Sequence, residues 1–271
     1  MVKKIIIVLL IAGVIGVSIW GPEKLAEYKD RSTFNQIHIE PGLQTEEGYR
    51  YTLNSNEKLY ILSEALSSQK QSENQLNAAG QNPLAETDYR TGNYALVMNH
   101  RQSDEKEISS EDVYRICNRE LERLTELGVL PKGMAAVDAD TYDAVLYSAI
   151  DVLEPRNNVV VWKISLSNIR KNATRQNRLI DAYIDADNGN IYEFYARTEY
   201  EWEDIDPDQT IALWREYMEL QTAFAYETTN PLLETTPHYK KYLFTGKGEG
   251  QTIVTIGFYE GINELFLRIS R

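Results

Sequence analysis

Cysteine is nearly absent: Cys117 is the only one among 271 residues. A lone thiol excludes an intrachain disulfide framework and any metal site built on paired cysteines. Histidine is scarce too. His38, His100 and His238 lie far apart, and no H-E-x-x-H pair occurs. Basic side chains are in deficit, 28 against 41 acidic, for a formal net charge of -13. Nucleic-acid binding needs a basic face that displaces counterions from phosphates, so that class of partner is excluded. There is no G-x-S-x-G elbow, and Gly246, Gly248 and Gly250 lack the K-[ST] of a phosphate loop. Two S-x-x-K matches, Ser55 to Lys58 and Ser67 to Lys70, have no K-T-G beside them and read as helix-surface residues. No catalytic residue, cofactor site or metal site is assigned.

What the chain does have is apolar mass. Apolar residues make up 42%, with 18 tyrosines and 4 tryptophans, enough for a packed core without disulfides.

The charge is also unevenly placed. Lys3 and Lys4 are the only charged residues of the first 21, so the rest carries 26 basic and 41 acidic side chains, a net of -15. From Ile5 to Gly21 the chain reads IIIVLLIAGVIGVSIWG, 17 residues without a charge. As a helix that run spans about 25 Å, the short end of what crosses a bilayer. Lys3 and Lys4 in front of it, and Trp20 at its far end, predict a single-pass anchor with the bulk of the chain outside the cell membrane. The alternative is a cleaved signal peptide, with Gly16 and Ser18 as a small-x-small site. Both readings export the acidic portion.

Four segments follow from composition and periodicity: the anchor (1–21); a stalk, short helix and mobile loop (22–92); and two α+β units (93–200 and 201–271). Asn54 and Glu57 form a capping box ahead of Leu59, Ile61, Leu62, Ala65 and Leu66, and the polar stretch 67–92 reads as loop. A second helix opens at Ser109 with Asp112 three residues on. It carries Val113, Ile116, Cys117, Leu121, Leu124 and Leu127 on one face and ends at Gly128. Cys117 lies on that apolar stripe and reads as a buried thiol.

β-rich runs at Tyr94–Met98, Ala144–Leu153, Val159–Leu166, Leu179–Ala186 and Ile191–Arg197 follow, with Asn188-Gly189 marking a hairpin. The pattern then recurs: a helix with Asp206 at its N-cap and Pro207 at its first position, extended to Phe224, then runs at Tyr239–Phe244, Thr252–Tyr259 and Leu265–Ile269. The expected fold class is α+β: a helix packed on an antiparallel meander, in two such units, after a transmembrane helix.

Within this layout, Tyr183-Ile184-Asp185-Ala186-Asp187-Asn188-Gly189-Asn190-Ile191 and Val161-Trp162-Lys163-Ile164 resemble two strands of the PepSY domain. The resemblance covers residues 110–197. Asn188 stands where that family usually has threonine, and Asn190 where it has an acid or lysine. What the resemblance implies is a non-enzymatic module outside the membrane, of a kind linked to peptidase inhibition and envelope signalling.

Metal binding is weighed at two places. If Asp185 opens an EF-hand loop, Gly189 falls one position early, so 185–189 reads as a hairpin turn. Asp138, Asp140 and Asp143 read as a solvated loop. The feature that breaks the acidic pattern is a basic loop holding Arg170, Lys171, Arg175 and Arg178 with no acid, a candidate partner contact. Asn172-Ala173-Thr174 in the same loop is a glycosylation sequon, relevant only on a eukaryotic secretory route.

Three functions remain at this stage. The first is a membrane-anchored, non-catalytic regulatory module that contacts a cell-envelope protein. The second is a hydrolase of cell-wall polymers using paired carboxylates. The third is an accessory subunit of a sensor kinase or transporter, with 5–21 as an interface.

Overall fold

Alternating apolar positions, not long hydrophobic runs, dominate the chain beyond Asn93, and they build a sheet. The computed structural model describes residues 50–79, 93–167, 178–227, 234–246 and 250–271, with side chains omitted for 71–79. The expected anchor at 5–21, most of the stalk, and Arg170, Lys171 and Arg175 lie outside the described residues. Among those described, no helix is long and apolar enough to cross a membrane.

The described residues form three α-helices: α1 (Ser55–Ala79), α2 (Val113–Leu127) and α3 (Pro207–Tyr217). Nine strands accompany them: β1 (Tyr94–Met98), β2 (Tyr142–Asp151), β3 (Asn158–Leu166), β4 (Leu179–Asp185), β5 (Ile191–Arg197), β6 (Phe224–Tyr226), β7 (His238–Thr245), β8 (Gln251–Tyr259) and β9 (Glu264–Ser270). All strand pairs are antiparallel. They form one sheet in the order β1-β2-β3-β4-β5-β9-β8-β7-β6.

This overturns the expectation of two helix-on-meander units. The joint is β5 on β9, with Phe194 opposite Leu267 and Arg197 opposite Glu264. Left separate, each meander would expose a strand edge at that point, with unpaired N–H and C=O groups. Pairing the two removes both edges. Residues Tyr49–Arg271 accordingly form one compact unit.

Two helix starts follow the sequence; α2, expected to open at Ser109, begins at Val113 behind a turn in which Asp112 N–H donates to Ser109 Oγ. Asn54 Oδ1 accepts from Glu57 N–H at 2.9 Å, and Glu57 Oε2 accepts from Asn54 N–H at 3.0 Å, a reciprocal cap on α1. Asp206 Oδ1 caps α3 by accepting from Asp208 N–H and Gln209 N–H, with Pro207 behind it. Gly128 closes α2 at φ 84°, a left-handed position that favours glycine.

The helix ends depart from it. Residues 67–79, expected as loop, continue α1. Propagation adds one hydrogen bond per residue once a turn exists, so a nucleated helix runs on through a polar stretch. Conversely α3 stops at Tyr217, because Glu219 adopts φ 56° and turns the chain. Phe224, expected on that helix, lies in β6 instead.

Ile61 to Leu66 are six consecutive buried residues, so α1 is enclosed on every side over this stretch. It runs along one end of the sheet. Asn56 Nδ2 donates to Thr245 O of β7, Ser63 Oγ meets Thr252 Oγ1 of β8, and Tyr60 packs edge-on against Tyr94 of β1. The other two helices share a face: Tyr114 of α2 donates to Tyr142 O, Trp214 of α3 packs edge-on against Phe244, and Tyr217 OH donates to Glu120 Oε2 between the helices. Cys117 is fully buried under α2, and burial together with Glu120 pushes its thiol up to about 12.

Candidate functional site

Register places a second set of side chains on the sheet face away from α2 and α3. Across β3, β4 and β5, Lys163 lies opposite Tyr183 and Tyr183 opposite Glu193. One row further, Asp181 lies opposite Tyr195, Tyr195 opposite Phe266, and Phe266 opposite Gly257. Side chains alternate faces along a strand, so these residues form one band. Phe266 is sandwiched, stacked on Tyr195 at 5.6 Å and on Tyr259 at 4.8 Å, with the Arg268 guanidinium 5.7 Å from its ring. Gly257 makes that possible, since a Cβ there would lie 2.3 Å from Phe266 Cζ.

The band holds three carboxylates whose pKa is raised. Burial pushes Glu193 up to about 7, against the opposing pull of Lys70, the Ile269 N–H and Arg268, and with help from Asp181. Burial also raises Asp181, whose Oδ1 has no hydrogen-bond partner. Glu264 is raised by burial and by the Asp181 charge. Glu193 Oε2 accepts the Ile269 N–H of β9 at 3.0 Å.

Beyond the band the face opens into a cleft of about 850 Å³ at β6 and β7, lined by Tyr226, Glu234, Thr235, Tyr239 and Lys241 among others. Glu234 is buried between Lys241 and Arg268. Burial alone would raise its pKa, but the two cations hold it below the ordinary range.

A second charged group surrounds the hairpin after β4. Lys58 Nζ bridges Asp185 Oδ2 at 2.9 Å and Asp187 Oδ2 at 2.8 Å. Tyr192 OH donates to Asp185 Oδ2, Arg50 pairs with Asp187 at 2.8 Å, and Arg101 pairs with Glu107. Burial would lower the Lys58 pKa, yet the two aspartates raise it. The turn keeps Gly189 at φ 87°, and a Cβ there would meet Ile116 at 2.6 Å. Asp185 and Asp187 are thus engaged by protein cations. Asp138 Oδ1 accepts from Asp140 N–H and Thr141 N–H within its own turn. Among the described residues no cluster of His, Cys, Asp and Glu is placed to hold a metal ion.

Of the basic loop, Arg178 alone is described. Its guanidinium pairs with Glu199 at 2.7 Å, and its carbonyl accepts from Arg197 N–H. Sequence reasoning passed over Asp181, Glu193 and Glu264. Their signal is present in alternation: each acid falls on a strand position with an aromatic residue opposite it on a neighbouring strand, Tyr195, Tyr183 and Tyr259 respectively.

Exposed apolar side chains gather elsewhere. Of the ten large ones among the described residues, seven sit at the two sheet edges. Val97 and Met98 are on β1, with Tyr51, Val152 and Leu153 beside its start, where Val152 N–H donates to Asn93 O and Tyr51 N–H to Arg156 O. Phe224 and Tyr226 are on β6. Leu153 is 75% exposed. β1 contains no charge, and β2 is its single neighbour among the described strands. Natural edge strands are usually blunted by charge, proline, a bulge or a covering helix; β1 has none of the first three, and α1 packs against its Tyr94 end.

No family model matches the chain, and neither a curated protein nor a solved structure matches it. The PepSY resemblance of 110–197 therefore rests on the two segments that carry it, which lie in β3 and across the β4–β5 hairpin.

Proposed function

We propose that the chain is a membrane-anchored extracytoplasmic module, not itself an enzyme, that binds a cell-envelope protein through β1, the edge of the sheet among the described strands. The observation that carries this reading is the gathering of exposed apolar side chains at the edges, Val97 and Met98 on an uncharged β1 above all. An open edge strand offers unpaired N–H and C=O groups to a partner's strand, and the apolar side chains on both faces fix its register. The apolar run at 5–21 after Lys3 and Lys4 supports anchoring with the sheet outside. The PepSY-like segment fits a regulatory role in the same place.

The hydrolase reading gains less support. Asp181 and Glu193 have raised pKa values, which suits a general acid. Neither lines the β6–β7 cleft or the shallower one beside Ser109 and Arg115, and Glu193 is 3% exposed. The accessory-subunit reading shares the edge but adds the anchor as an interface. Replacing 5–21 with an unrelated anchor abolishes function in that case and leaves it intact otherwise.

The test uses the full-length chain in its own membrane, comparing the wild type with Val97→Lys/Met98→Lys. The expected result is loss of one co-purifying envelope protein at unchanged thermal midpoint. Retention of the same partner at full yield sinks the reading.

A further inference from the structure

Apart from the three-residue edge strand β6 on β7, the joint between β5 and β9 is the narrowest place in the sheet. It holds together β1–β5 and β6–β9 through four opposed residues, Phe194 to Arg197 against Leu267 to Glu264. By contrast β2 and β3 are opposed over nine. Past Phe194 the ladder leaves its backbone pattern: the Ile269 N–H is taken by a side chain, Glu193 Oε2. At the opposite end, Glu264 closes the joint opposite Arg197 and is also buried. A carboxylate thus stands at each end of the seam.

We infer that the β5–β9 seam is a proton-sensitive latch, closed when Glu193 is protonated and loosened when it ionises. This stands on the seam's own geometry and does not depend on what the β1 edge binds. The groups facing Glu193 are Asp181 from β4, Lys70 from α1, and Arg268 and the Ile269 N–H from β9. Asp181 in turn faces Lys163 of β3 and Lys70. Asp181 is the one facing acid, and a charge on it opposes a second negative charge on Glu193. Once ionised, Glu193 is a buried anion beside another carboxylate, and no described cation forms an ion pair with it. Glu193 is 3% exposed in the closed sheet, and parting β5 from β9 is what gives its charge access to water, so ionisation favours the open seam against the pull of Arg268 and the Ile269 N–H. The proton involved exchanges with solvent, with no other reactant.

The titration runs in one direction. Glu193 sits at about 7 in the folded chain against an ordinary 4.5. A raised carboxyl adds stability that is complete below its unfolded value and is lost as pH rises through its folded value. The seam therefore weakens between about pH 5 and pH 8.

The experiment is amide hydrogen exchange on the full-length protein at about pH 5.5 and pH 8, with protection corrected for intrinsic exchange. The expected result is a fall of about tenfold or more in protection at Leu265, Leu267 and Ile269, the size of one or more pKa units of coupling. Protection in β2–β3 stays level. In Glu193→Gln, whose amide oxygen still accepts from Ile269 N–H, the fall disappears. In Asp181→Asn the fall shrinks and moves to lower pH, because removing the repelling charge while keeping the shape lowers the folded pKa of Glu193 and with it the penalty for ionising it. Its seam thus stays better protected than the wild type at pH 8. Equal loss across both ladders, or a fall that persists unchanged in Glu193→Gln, overturns the latch.

Discussion

One sheet carries two groups of wholly or partly buried acids, and it treats them in opposite ways. Around the β4–β5 hairpin, Asp185, Asp187 and Glu107 are matched by Lys58, Arg50 and Arg101. Burial alone would raise Asp187 and Glu107, yet their partners hold both below the ordinary carboxylate range. At the β5–β9 seam, Asp181, Glu193 and Glu264 have no ion-pair partner among the described residues, and burial raises all three. In the first group, ionised Asp187 and Glu107 stabilise the fold; in the second, ionising Glu193 costs it stability. Burial is common to both, so the difference lies in whether a cation came with the acid.

Removing one partner from the matched group has the largest effect. Asp185→Ala leaves Lys58 short of a carboxylate and Tyr192 OH without its acceptor. The expected loss is about 3–5 kcal/mol in denaturant unfolding at pH 7. A loss below about 1 kcal/mol would show that the ion pairs do not hold the hairpin. The unmatched group predicts the opposite sign. Glu193→Gln gains on the order of 2–3 kcal/mol at pH 8 and little at pH 4, because the cost of ionising a raised carboxyl exists only above its unfolded value. A uniform change at both pH values would break the contrast.

Asp187→Asn is smaller, about 1 kcal/mol, since its side chain is a third exposed and partly screened by solvent. Its contribution has the acid-limb sign: a lowered carboxyl stabilises above its unfolded pKa and loses that as pH falls through the folded one. The Asp187→Asn curve should therefore converge on the wild type toward the acid end, below the ordinary carboxylate pKa. Smallest of all is Val97→Lys/Met98→Lys, within about 0.5 kcal/mol, because both side chains are already in water and touch neither group.

Local features were legible in the sequence. The Asn54–Glu57 and Asp206 caps, the Asn188-Gly189 turn and the strands around them follow from residues a few positions apart. The seam was not legible. Leu267 stands far along the chain from Phe194, with α3 and three strands between, and nothing local distinguishes a strand that pairs there from one left at an edge. The polar end of α1 was missed because the stretch has no apolar stripe, and a helix already nucleated does not need one. Of the site, Arg178 was legible as a basic residue but not as the partner of Glu199. Asp181 and Glu193 were hidden because an acid in an alternating strand reads as solvent-facing until the other face is known.

The binding edge is the account's central claim, and it has a direct test. A photo-crosslinking residue is placed at Met98 of the full-length protein in its own membrane, with Leu127 and Ile262, exposed apolar positions away from the edges, as controls. One discrete adduct from position 98 and none from 127 or 262 is the predicted result. Equal adducts from all three positions, or none from 98 at native expression, would contradict it.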